Sequence, residues 1–91
     1  MPPRITLTKL PHGHRNLLGS ALRSLREARS LTQAAVVGRL QRRGWDISRH
    51  VYGFIEDGSR QITDIELFGI LQALKCSPAD LEDSFRAFSK K

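Results

Sequence analysis

Apolar residues recur at helical spacing along most of this chain, and no stretch carries the alternating pattern of a strand. Leu18, Ala21, Leu22, Leu25 and Ala28 share one face of a first helix predicted from about Arg15 to Arg29, with Arg23, Arg26, Glu27 and Arg29 largely off that stripe. Thr32 suits the N-cap of a second helix whose buried face is Val36, Val37 and Leu40, and Gly44 ends it or begins its turn. Trp45 and Ile47 are too apolar to stand in water, so the connector holding them is predicted to fold back onto the core. Ser48 then caps a third helix with Val51, Tyr52 and Ile55 inward. Thr63-Asp64-Ile65-Glu66 has the form of a capping box, in which Glu66 reaches back to the Thr63 amide. The fourth helix carries Leu67, Phe68, Ile70, Leu71 and Leu74, and as the most apolar one it is expected at the centre. Ser77-Pro78 pairs an N-cap with proline at the first helical position, opening a last helix over 78–88.

Residues 1–14 contain Pro2, Pro3, Pro11 and Gly13 and read as a flexible N-terminal arm, which Ile5, Leu7 and Leu10 can pin to the body. The expected architecture is therefore all-α: an arm at 1–14 and one five-helix domain at 15–91. A length of 91 residues allows one domain with a modest core. No apolar run approaches a membrane span, and the first residues lack the apolar stretch of a secretory signal. Cys76 is the only cysteine, which excludes an internal disulfide and suits a reducing compartment, so the cytoplasm is the expected location.

Charge sharpens this picture because it is unevenly spread. The net charge is +6, and residues 61–91 hold four Lys/Arg against five Asp/Glu, so the basic character lies in the first two thirds. Arginine dominates there, and its planar fork suits phosphate oxygens and guanine edges better than a lysine point charge does. Within that region, Leu31 to Gly58 reads as two short helices joined by a connector, the second stopped by Glu56-Asp57-Gly58. Its polar face carries Arg49 and His50 beside Gly53, with Val51 and Ile55 turned the other way. That division of faces suits a helix exposed to a DNA groove.

The chain resembles the Cro/C1-type helix-turn-helix family over roughly Leu17 to Leu81. The resemblance rests on four pieces in order: the run Leu22-Arg23-Ser24-Leu25-Arg26-Glu27-Ala28-Arg29, then Leu31-Thr32-Gln33, then Ile55-Glu56-Asp57-Gly58, and Leu74 through Ser77 leading to Leu81. It implies a lambda-repressor-like domain with a helix-turn-helix at 32–57. It also implies that Gln33, beside Thr32, contacts the phosphate backbone and braces the recognition helix. Ser48, Arg49, His50 and Phe54 match base-contacting positions, while Ser59, Arg60 and Gln61 match a phosphate-holding loop. Arg26 and Glu56 match a structural pair tying the first helix to the end of the third. The chain departs from the family pattern in three places. Val37 stands where a small alanine is usual, the connector from Gln41 to Ile47 is about five residues longer than the usual tight turn, and Lys75 replaces a glycine after the fourth helix.

The function expected from these features is a sequence-specific, repressor-like transcriptional regulator acting on double-stranded DNA as a homodimer. Neither cofactor nor metal is expected. His12 and His14 have no Cys or carboxylate at ligand spacing, and the chain shows no nucleophile–base pair, phosphate loop or carboxylate dyad of an enzyme. Several positions keep a second reading. Arg42 and Arg43 either contact phosphate or oppose the dipole of the second helix. His50 is a base contact or a surface histidine. Gly53 admits close approach of the backbone to DNA or is simply a weak point in its helix. Phe54 meets a thymine methyl or packs on Trp45. Leu81 reaches the core, leaving Phe85 and Phe88 either for a dimer interface or to cover that same core. The rival class is an adaptor that has lost DNA binding and presents a Trp45–Phe54 surface to a protein.

Overall fold

The computed structural model describes residues 15–89, with side chains as far as Ser84. Five helices follow in order: α1 (Gly19–Ala28), α2 (Gln33–Arg42), α3 (Arg49–Glu56), α4 (Asp64–Ala73) and α5 (Pro78–Ser89), with no strand among the described residues. The expected arm at 1–14, including His12 and His14, and the side chains of Phe85 and Phe88 lie outside the described residues.

Local chemistry sets most helix starts. Thr32, Ser48 and Thr63 lie in extended backbone, and their hydroxyls accept from the amides of Ala35, Val51 and Glu66. Each hydroxyl satisfies one of the orphan donors of a first turn. Glu66 completes the capping box by accepting from the Thr63 amide at 3.1 Å. At α5, Asp80 accepts from the Ser77 amide at 2.8 Å. That contact, followed by the Ser77 hydroxyl, holds the Asp80 carboxyl below its usual range.

The first helix starts later than its periodicity predicts, at Gly19 rather than near Arg15. Asn16 is the reason. Its Oδ1 accepts from the amides of Leu18 at 3.0 Å and Gly19 at 2.7 Å, which fixes a turn ahead of the helix. Leucine periodicity continues through that turn and cannot reveal it.

Helices α1 to α4 share one ending. After each C-terminal residue comes a position with positive φ: Ser30 at 56°, Gly44 at 97°, Gly58 at 84° and Lys75 at 55°. The next amide returns to the third carbonyl from the helix end, as Trp45 does to Leu40 at 3.1 Å and Cys76 to Leu71 at 2.9 Å. These are Schellman endings. Glycine fits the left-handed conformation at two of them, while Ser30 and Lys75 carry strain of about 1 kcal/mol each.

The core comprises Ala21 and Leu22 of α1, Val36, Val37 and Leu40 of α2, Tyr52 and Ile55 of α3, Ile70, Leu71 and Ala73 of α4, and Ile47, Leu74 and Leu81. Ile47 is buried and its carbonyl accepts from Gln41 Nε2 at 2.9 Å, so the connector folds onto the core. Val37, the large residue at the expected close crossing, is also buried. The most extensive packing pairs are α1 with α5 and α3, and α2 with α3 and α4. Helix α4 is thus not the centre that its apolar content suggests. It is apolar on more than one side, and Ile65 and Phe68 face solvent.

Candidate nucleic-acid interface

Helix α3 is short, so its orientation depends on what grips its ends. At its C-terminal end Glu56 is buried, and its carboxylate gathers three donors. Arg26 Nε reaches Oε2 at 2.7 Å, Arg26 Nη2 reaches Oε1 at 3.0 Å, and Gln33 Nε2 reaches Oε1 at 3.1 Å. Arg26 Nη1 also donates to the Leu31 carbonyl at 2.8 Å. One carboxylate therefore ties α1, the loop after it, the first residue of α2 and the last residue of α3. The hydrogen bond to Glu56 raises the Arg26 pKa further above an already high value. Tyr52 is buried in the same region, and burial first, then the charge of Glu56, pushes its phenol far above the ordinary range. The network thus holds one anion and one cation.

A second clamp has no signal in the local sequence. Asn16 Nδ2 donates to the Ile55 carbonyl at 3.1 Å and the Arg60 carbonyl at 2.7 Å, binding the start of α1 to the end of α3. Gly19 lies against the same backbone: a Cβ there would come within 2.6 Å of the Glu56 carbonyl oxygen. An asparagine just ahead of a helical run is a legible cap signal, but its partners some forty residues away are not.

With its inner side fixed by Tyr52, Ile55 and Glu56, α3 presents Arg49, His50, Gly53 and Phe54 outward. Together with Gln33 and Asp57 they border one cleft. Arg49 is exposed and has no hydrogen bond or ion pair among the described residues. His50 and Phe54 meet edge to face, with ring centroids 4.7 Å apart. Phe54, 41% exposed, packs on His50 and borders none of the groove that Trp45 lines. The two aromatics of the rival adaptor reading therefore belong to separate clefts. Ser48 and Thr32 occupy the caps of α3 and α2.

Phe54 also borders a second cleft, with Arg15, Ser59, Arg60, Gln61, Thr63 and Glu66. Arg15 is an exposed cation added to the surface by this placement. Ser59 and Arg60 are engaged within the protein. The Ser59 hydroxyl donates to Asp57 Oδ1 at 2.6 Å, and Arg60 grips Glu66 with contacts of 3.1 and 3.2 Å. Arg60 and the Thr63 cap hold the Glu66 carboxyl below its usual range.

Arg42 and Arg43 are not brought to the Gln33–Arg49 cleft. They stand at the other end of α2, roughly 15 Å along its axis from Gln33, where they border a groove with Arg39, Gln72 and Lys75. Arg39 donates to the Ala73 carbonyl at 2.7 Å and Arg43 to Gln72 Oε1 at 3.2 Å, so each serves the C-terminal part of α4. Arg42 has no partner among the described residues. No group of three His, Cys, Asp or Glu among those residues is placed to hold a metal, and no helix among them is long and apolar enough to cross a membrane.

No family model matches this chain, and no curated protein shows significant similarity to it.

Proposed function

We propose that this chain is a cytoplasmic, sequence-specific DNA-binding regulator of transcription, repressor-like in action, in which α2 and α3 form a helix-turn-helix with a long connector. Helix α3 enters the major groove, where Arg49 and its neighbours meet base edges. Gln33, the start of α2 behind the Thr32 cap and the exposed Arg15 set register on the phosphates, while Ser59 and Arg60 shape the neighbouring loop through Asp57 and Glu66. The observation that carries this reading is the outward face of α3. A basic side chain without an internal partner, a histidine and a glycine stand side by side on a helix whose inner face is locked by a buried ion pair.

The resemblance to the Cro/C1-type family supports the same reading, since the matched Gln33 braces α3 through Glu56. One domain reads only a short site, so two copies on a two-fold site, with half-sites about 34 Å apart, supply the remaining affinity. The test is selection from a pool of randomised duplexes near physiological salt. A recovered inverted repeat whose binding weakens steeply as salt rises supports the proposal. Failure to recover duplex even at low salt overturns it.

A further inference from the structure

Ile65, Phe68, Gly69 and Gln72 stand at i, i+3, i+4 and i+7 along one face of α4, and all four border a single groove with Trp45 and Arg43. Ile65 is 80% and Phe68 60% exposed, more than any other large apolar side chain among the described residues. Such residues belong in a core, and the described helices leave them in solvent. Helix α4 runs from Asp64 to Ala73, so its midpoint falls between Phe68 and Gly69. Residues 65 and 72 are equidistant from that point, as are 68 and 69. When two such helices meet antiparallel about that point, residue 65 of one comes level with 72 of the other, and 68 with 69, as a two-fold contact requires.

We propose that this face of α4 is the contact between two copies of the chain, packed antiparallel about a two-fold axis at the Phe68–Gly69 midpoint. Phe68 of each copy then lies over the bare backbone at Gly69 of the other. That seat is open, because a Cβ at Gly69 would meet nothing nearer than Leu40 Cδ2 at 4.0 Å. Ile65 meets the hydrocarbon stem of the other copy's Gln72. The charges agree with this register. Arg43, bonded to Gln72, borders the C-terminal end of the groove, and Glu66, also held by Arg60, borders its N-terminal end. The antiparallel pairing therefore sets Arg43 of one copy beside Glu66 of the second.

The exposed apolar patch is on the order of 300 Å² per copy, below the roughly 800 Å² per partner of a standard stable interface. The pair is therefore weak in free solution, formed at high concentration and reinforced by a shared ligand. Sedimentation equilibrium of the full chain, without DNA, from about 10 μM to 1 mM tests it independently of the DNA reading. The expected result is a reversible monomer–dimer equilibrium. Phe68→Glu abolishes it with an unchanged helical signal, since Phe68 lies outside the core. Arg43→Glu weakens it by about tenfold or more, the factor corresponding to 1.4 kcal/mol. Should Phe68→Glu lose its fold, Arg43→Glu at its exposed position carries the test. A monomer throughout the range, a dimer indifferent to both substitutions, or one abolished only by Phe85→Ser with Phe88→Ser overturns the proposal.

Discussion

Replacing Glu56 by alanine leaves the guanidinium of Arg26 nearly buried with only the Leu31 carbonyl as partner. In the intact protein the Arg26 and Glu56 side chains are 11% and 3% exposed and meet at 2.7 Å. Breaking such a pair by removing one member costs about 3–5 kcal/mol, most of it the burden of the stranded charge. Loss of the Gln33 contact falls within that figure. A domain of this length is stabilised by roughly 5–14 kcal/mol in total, so about 4 kcal/mol removes a large share. Tm should fall by roughly 15–30 °C at 4–8 °C per kcal/mol. Urea unfolding followed by circular dichroism should show a lower midpoint at an unchanged slope. The double change Arg26→Met with Glu56→Leu strands no charge and should cost much less than Glu56→Ala alone. A loss below about 1 kcal/mol for Glu56→Ala, or a double variant as unstable as the sum of both losses, would refute this account of how α3 is held.

Gly53→Ala separates stability from binding. A Cβ there meets only Gln33 Oε1 at 3.9 Å, so the substitution should raise stability by about 0.5–1 kcal/mol, while affinity for duplex falls if the α3 backbone lies close to DNA. Lys75→Gly relieves a left-handed conformation at an exposed site and should gain no more than about 0.5 kcal/mol in urea unfolding, once the extra chain entropy of glycine is subtracted from a strain of about 1 kcal/mol. Glu66 has a depressed pKa because of Arg60 and the Thr63 cap. Its contribution is therefore fully present above the ordinary carboxylate range and is lost as pH falls through the lower folded value. The stability gap between the native chain and Glu66→Gln should accordingly be widest near neutral pH and close in acid; a gap independent of pH would remove the assignment.

What the sequence made legible follows from the range of the interactions involved. The caps at Thr32, Ser48, Thr63 and Ser77 act over three residues, so composition alone reveals them. Apolar spacing likewise marks the faces of α1, α2 and α3. Asn16 and Gly19 stayed hidden because their partners, the carbonyls of Ile55, Glu56 and Arg60, are remote in the chain. The place of α4 is illegible for a related reason: a helix apolar on two sides offers no pattern that says which side the fold covers. Arg42 and Arg43 sit beside the recognition segment in sequence, yet the helix length carries them to another groove. Arg60 is basic and belongs to the right loop, but its bidentate grip on Glu66 appears only in three dimensions.

The claim at the centre is that the outward face of α3 meets base edges. Its most direct test is the affinity of Arg49→Ala for a selected site and for an unrelated duplex, at one fixed salt concentration. The account predicts a loss of about 1–3 kcal/mol on the selected site with little change on the unrelated one, and an unaltered Tm. An equal loss on both duplexes, or no loss on either, would contradict it.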